Sequence, residues 1–269
     1  MKIYFACTGN NEPRYLSGAG LNNILCSYYY YKKNPELIID LIEGGVNVFI
    51  DSGAFSAKFS GAEIDIDEYS KFVIQTGSTF YAGLDVIGDA AATKKNQKYM
   101  EDEYGLNPIP TFHLGSRLED ALELAGNYEY IALGGIAMGD GVDPALEGLF
   151  NQILKVNPNI KTHGFAVTNT ILMEKYPWES VDSSSFKAGK RFGRMALYNH
   201  QRNCLAQEDY NLWIEKYAAL TTDPQIIDDT AFRYELTDIL SAKAYQRLVD
   251  FLNSKNKDYT HLTAQNTLW

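Results

Sequence analysis

The chain is short of the residues that staple, anchor or electrostatically recruit. Only three cysteines occur in 269 residues, Cys7, Cys26 and Cys204. They are far apart and cannot all pair, which excludes a disulfide scaffold and fits free thiols in a reducing compartment. They form no Cys-x-Cys or Cys-x-x-Cys cluster, and His113, His163, His200 and His261 show no zinc-site spacing, so no metal is expected. No apolar run approaches the ~20 residues of a membrane helix. The N-terminus passes directly into a strand-like segment without an apolar signal core, so a cytoplasmic location is expected. Basic residues are also scarce, 24 against 34 acidic, for a net charge of -10. A global field of that sign opposes polyanions. One stretch runs against it, Lys187-Ala188-Gly189-Lys190-Arg191-Phe192-Gly193-Arg194, followed by Arg202. Charge pattern alone reads it equally well as a solvated loop and as a phosphate site.

Hydrophobic residues make up 45% of the chain, enough for a folded core and not for disorder. Short apolar runs recur at 2–7, 46–51, 80–86, 109–113, 128–133, 161–166 and 179–182, with a weaker eighth at 192–198. They are too apolar for a sheet exposed on one face. Polar chemistry collects where they end: Asp51, Asp85, His113, Gly134-Gly135, His163-Gly164 and Asp182. A repeated strand with polar residues at its exit end describes a (β/α)8 barrel and its catalytic face. The expectation is an α/β TIM barrel over residues 1–200, with residues 201–269 as a C-terminal helical segment packed on it.

Helical spacing supports this alternation. Asn34-Pro35 reads as a cap and first-turn proline before Leu37, Ile38, Leu41 and Ile42. Asp67 is expected to cap a helix carrying Tyr69, Phe72 and Val73, and Asp143-Pro144 to open one carrying Leu146 to Leu154. A short helix over 117–124 turns Leu118, Ala121 and Leu122 inward. The tail reads as helices over 210–220, 229–241 and 242–253. Tyr28-Tyr29-Tyr30-Tyr31 could stack a base, but a half-buried helix or strand edge is the commoner use of such a run.

Asp51 and Asp182, at the ends of two strands of one barrel, would face a common mouth. Two carboxylates across a pocket are the minimum for cleaving a glycosidic bond, one attacking or stabilising the anomeric carbon and one moving protons. Asp85 could accept hydrogen bonds from a planar ligand's N–H groups. Gly134-Gly135 lets backbone approach a flat ring. Taken singly, each position has a bland alternative as a turn or cap residue. Their placement on one face is what makes the set specific.

The motif set resembles tRNA-guanine transglycosylases. Asp51-Ser52-Gly53-Ala54-Phe55-Ser56 is similar to that family's Asp-Ser-Gly-Gly-Phe-Gln, and Leu84-Asp85 to its base-binding aspartate. Residues 132–140, Ala132-Leu133-Gly134-Gly135-Ile136-Ala137-Met138-Gly139-Asp140, resemble its Gly-Gly-Leu-Ala-Val-Gly-Glu loop. Ser180-Val181-Asp182-Ser183 falls where the family has its nucleophile. The order is preserved over roughly residues 45 to 195. The family's zinc cluster and most of its tRNA-gripping region are absent, and His113 stands in place of a glutamine. This short form is similar to phage and bacterial DNA-modification proteins that place 7-deazaguanines in DNA.

The resemblance implies a glycosyltransferase. It would exchange guanine in nucleic acid, DNA in preference to tRNA, for a free 7-deazaguanine, without a cofactor. Asp182 would be the nucleophile forming a glycosyl-aspartate, and Asp51 the acid/base. Asp85, His113, Gly134, Gly135, Ile136, Ser52 and Phe55 would hold the base. Lys187, Lys190, Arg191 and Arg194 would hold phosphates. The acidic charge then implies salt-sensitive binding or help from a partner protein or a second copy, in the host cytoplasm if a phage encodes it. The alternatives are the same chemistry on tRNA, a barrel hydrolase of a small N-glycoside or nucleoside, and a non-catalytic binding protein on a degenerate barrel.

Overall fold

The computed structural model describes residues 1–136, 142–218, 229–255, 259 and 262, and of Lys190 and Ala218 the backbone only. Strand β1 (Lys2–Cys7) pairs in parallel with β2 (Asn23–Ser27) on one side and with β7 (Ser180–Ser183) on the other. From β2 the pairing passes to β3 (Asn47–Asp51). From β7 it passes back through β6 (Lys161–Gly164) and β5 (Tyr130–Gly134) to β4 (Thr111–His113). The gap between β3 and β4 is closed by two residues. Tyr81 bridges Ile50 and Ala82 bridges Ile109, both in parallel. Ala82 N donates to Ile50 O and Gly83 N to Ile109 O, each at 2.9 Å. Seven strands and this segment therefore make a closed parallel ring of eight staves, a (β/α)8 barrel.

Two staves differ from expectation. The eighth is not 192–198. That region forms β8 (Arg194–Asn199), which pairs antiparallel with β9 (Cys204–Asp209) in a separate two-stranded sheet. The missing stave is β2, whose apolar core is only Ile24-Leu25-Cys26 and which runs directly into the tyrosines. Residues 80–86 supply a two-residue bridge rather than a full strand.

The helices are α1 (Glu12–Gly18), α2 (Tyr28–Tyr31), α3 (Pro35–Glu43), α4 (Ala54–Ser60), α5 (Ile66–Thr76), α6 (Ala90–Tyr104), α7 (Leu118–Asn127), α8 (Val142–Val156), α9 (Thr170–Lys175), α10 (Ala188–Phe192), α11 (Tyr210–Ala218) and α12 (Thr230–Ser254). The cap of α5 is Asp65, which accepts from Glu68 N at 2.9 Å, and not Asp67. Asp67 instead accepts from the hydroxyls of Tyr99 and Tyr104. Asn34 precedes a first-turn proline but makes no side-chain cap. Asp143 lies inside α8 and holds Lys175 and Tyr176. The tyrosine run is α2, with Tyr28 and Tyr31 buried. The tail is not helical throughout, since it contains β9, and the two helices expected over 229–253 are one continuous α12. This helix lies along the β1 and β8 side of the barrel. Tyr15 Oη donates to Asp238 at 2.9 Å, and Ala196 N donates to Ser241 Oγ at 3.1 Å.

Strand alternation divides the core in two. Ile3, Phe5, Ile24, Val48, Ile50, Ile131, Leu133 and Val181 face the helices in the larger cluster. Tyr4, Leu25, Phe49, Ala82, Ile109 and Ala132 fill the barrel lumen, with Phe80, Tyr130 and Phe165 packed against them. The lumen is therefore a packed, largely aromatic plug. Above it, the inward positions turn polar. No helix among the described residues is long and apolar enough to cross a membrane.

Candidate active site

The same alternation that puts Phe49 in the lumen puts Asp51 there, two residues further along β3. Its register partner on β2 is Ser27. Asp51 Oδ2 accepts from Gly53 N at 3.1 Å. Gly53 has φ +81, and a Cβ there would lie 2.4 Å from both Ser27 Oγ and Tyr29 Cβ, so only glycine closes this turn. The carboxyl's pKa is pushed up to about 7, by burial first, then by the charges of Asp85 and Asp182, against smaller opposing effects of Gly53 N and Ser27. The three carboxylates thus share one mouth. Ser27 Oγ lies near enough to favour the ionised form of Asp51 as a weak dipole, and, buried, it reaches hydrogen-bonding geometry with no group among the described residues.

Asp85 is held from both sides. Ser52 Oγ donates to Oδ1 at 3.0 Å, and His113 Nε2 lies 2.9 Å from Oδ2. With Nε2–H donating to the carboxylate, His113 Nδ1 is an acceptor on the side of Gly134. A Cβ on Gly134 would sit 2.8 Å from Nδ1, so glycine there makes room for the imidazole. The Asp85 loop is fixed from α5 and α6. Tyr69 Oη donates to Ala82 O, Asn96 Nδ2 to Leu84 O, and Val86 N to Thr93 Oγ1.

Asp182 is the last but one residue of β7, with its side chain only 9% exposed. Its Oδ1 accepts from Ala166 N at 2.9 Å and lies 3.3 Å from His163 Nε2. Ala166 has φ +55, an unfavourable backbone for alanine that turns its N–H onto the carboxylate. Oδ2 receives no hydrogen bond from the described residues. One oxygen is fixed and the other is left for a ligand.

The expected site residues thus divide. Asp51, Ser52, Asp85, His113, Gly134 and Asp182 are brought together. Gly135 has φ +79 and packs on Leu114, and Ile136 is buried beside it. Residues 137–140 of the same motif lie outside the described residues. Phe55 is 51% exposed on α4, one turn before the 71%-exposed Phe59, their ring centroids 4.6 Å apart. Lys187 does not fit the phosphate role. Its ammonium is buried between Thr8 Oγ1 and Glu12 Oε2, each at 2.9 Å. Arg191 and Arg194 are exposed, and the Lys190 side chain lies outside the described residues. Sequence reading missed Ser27, for want of β2, and the contact of His163 with Asp182, whose signal was the histidine beside Gly164 at the exit of β6. Among the described residues, no three His, Cys, Asp or Glu side chains are grouped to hold a metal ion.

These features define an α/β-barrel protein with three coupled carboxylates in the C-terminal mouth of the barrel. No family model and no curated protein matches the sequence. Two solved structures illustrate the depth of structural likeness. A ligand-free tryptophan synthase from M. tuberculosis is 10% identical, with 89% of this chain and 93% of that chain covered at a TM-score of 0.46. The carboxyl transferase domain of Rhizobium etli pyruvate carboxylase with oxalate is 11% identical, with 92% of this chain and 48% of that chain covered at a TM-score of 0.45. The barrel assignment rests on strand pairing, and neither likeness bears on activity.

Proposed function

We propose that the protein is a base-exchanging transglycosylase that replaces guanine in nucleic acid, DNA in preference to tRNA, with a 7-deazaguanine. The observation that carries this reading is the division of labour among the three carboxylates. Asp182 presents one fixed and one free oxygen, as a nucleophile needs for in-line attack on C1′ of a nucleotide. The sugar–base bond breaks as the Asp182–C1′ bond forms, and the leaving base takes a proton. Asp51, titrating near neutrality, supplies that proton and recovers one from the incoming base. Asp85, oriented by Ser52 and His113, accepts from the base's N–H edge beside the Gly134-Gly135 backbone. Exchange of one base for another is near energy-neutral and needs no external reductant or nucleotide.

The exposed Phe55 and Phe59 flank the mouth on α4 and supply faces for unpaired bases. Arg191 and Arg194, close after β7, are the phosphate candidates. A second reading has one observation in its favour: the net charge of -10, with Lys187 withdrawn into an ion pair, suits a hydrolase of a small N-glycoside.

The test is incorporation of labelled 7-cyano-7-deazaguanine, with duplex DNA and unmodified tRNA offered in parallel at low salt. Label in DNA is expected, abolished in Asp182→Ala with the fold retained. Label in tRNA alone would move the substrate. Free guanine released without uptake of label would favour the hydrolase. A fully active Asp182→Ala would remove the nucleophile assignment.

A further inference from the structure

A polar thread crosses the aromatic lumen and ends on Asp182. Tyr130 Oη lies 2.6 Å from Ser180 Oγ, and Ser180 Oγ lies 2.6 Å from His163 Nδ1. His163 Nε2 lies 3.3 Å from Asp182 Oδ1. The imidazole is fully buried, edge-on to Tyr4, Phe49 and Phe165, with centroid separations of 6.2, 4.6 and 4.8 Å. Tyr130 and Ser180 line a cavity of about 450 Å³ at the opposite end of the barrel from Asp182. The thread therefore starts at that cavity and runs through the aromatic core.

One placement of the hydrogens satisfies every group along it. The Tyr130 hydroxyl keeps its proton because it is buried, and Ser180 Oγ is its hydrogen-bond partner among the described residues, so Tyr130 is assigned as the donor. Ser180 Oγ accepts that proton's hydrogen bond and spends its own hydrogen on His163 Nδ1. Nδ1 is then an acceptor, the neutral ring carries its hydrogen on Nε2, and Nε2–H faces Asp182 Oδ1. The opposite tautomer would put an N–H against the serine and a lone pair against a carboxylate.

We infer that His163 is a positioning residue whose tautomer is set by Ser180 and Tyr130, so that Nε2–H and Ala166 N together pin Asp182 Oδ1 and present Oδ2 for attack. The inference rests on the base-exchange reading only for the word attack; the donor thread itself can be read without substrate. His163 touches neither base nor sugar in this arrangement. Its effect is to hold one rotamer of the nucleophile through an edge-to-face aromatic cage around the ring, interplanar angles being 70° to Tyr4, 85° to Phe49 and 76° to Phe165.

The experiment compares the full-length protein with Ser180→Ala, Ser180→Thr and Tyr130→Phe, because removing the buried ring itself risks the fold. Long-range ¹H–¹⁵N spectra of histidine-labelled protein report the tautomer. Wild type is expected to show a single Nε2–H form for His163, lost to a mixture in Ser180→Ala and kept in Ser180→Thr. In base exchange, Ser180→Ala is expected to lower kcat about tenfold with KM for the free base unchanged, and Ser180→Thr to recover most of it. Tyr130→Phe, which leaves the serine hydrogen on His163, is expected to cost only about two- to threefold. An Nδ1–H wild type overturns the inference, as does a Ser180→Ala protein with unchanged tautomer and kcat, or an equal loss in kcat and in base affinity. If wild type exchanges no base at all, the base-exchange reading falls separately. The Ser180→Ala spectrum then decides the thread alone, a retained single tautomer overturning it.

Discussion

Asp51 ends β3 with its carboxyl turned into the barrel mouth. Burial first, then the charges of Asp85 and Asp182, push its pKa up to about 7 from an ordinary 3.8. Between those values the folded protein holds a proton that the unfolded chain releases. Stability therefore falls as pH rises through that window and is highest below it. Asp51→Asn keeps the acceptor for Gly53 N and removes the charge. Its thermal unfolding is expected to match wild type at pH 4 and to exceed it at pH 8, by on the order of 2 kcal/mol, with exchange activity lost. Melts at the two pH values check this, and an offset that did not change with pH would mean Asp51 is not the titrating group. Lys187 makes the opposite case. Its ammonium sits between Thr8 and Glu12, so Lys187→Met leaves a half-buried carboxylate unpaired. A stability loss of about 2–3 kcal/mol is expected in denaturant melts, with no change in the salt dependence of polymer binding.

At the scale of elements, each strand exit carries a short turn that aims one group, and glycine sits where backbone or ring must come close. Gly134 shows this most directly, since a Cβ there would meet His113 Nδ1 at 2.8 Å. The imidazole can swing away, but only by leaving Asp85. Gly134→Ala is expected to raise KM for the free base about tenfold, with a stability loss under ~1 kcal/mol and a smaller effect on kcat. Steady-state kinetics on the purified variant check it; a fall in kcat with KM unchanged would detach His113 from base binding. The β6–α9 turn works differently. There Ala166, not glycine, takes φ +55 and donates to Asp182, so local strain and the aim of that carboxylate belong to one residue.

For the whole molecule, charge is the constraint. At -10 the protein repels a polyanion at long range, so on the base-exchange reading attraction comes from a local patch. The described candidates are Arg191 and Arg194 at the end of α10 and start of β8, with Arg202 in the β8–β9 turn, all exposed. Arg191→Gln with Arg194→Gln is expected to flatten the slope of log K against log salt by about 1.5–2 for duplex DNA. Filter binding across a salt series measures it, and an unchanged slope would move the phosphate contacts elsewhere on the surface.

The sequence by itself determined the architecture and most of the mouth. Apolar staves with polar exits recur because a parallel sheet covered on both sides must be apolar throughout and can turn polar only where it ends. That pattern placed Asp51, Asp85, His113, Gly134 and Asp182 on one face before any pairing was known. Tertiary structure decided what periodicity does not encode. β2 is a stave although five residues leading into tyrosines give little strand signal, because its neighbours supply the missing hydrogen bonds. Lys187 is structural although it stands in a basic run, because folding brings Glu12 to it from 175 residues away. The partnership of His163 with Asp182 depends on two adjacent strands in register across the β6–β7 pair, a distance that exists only once the barrel has closed.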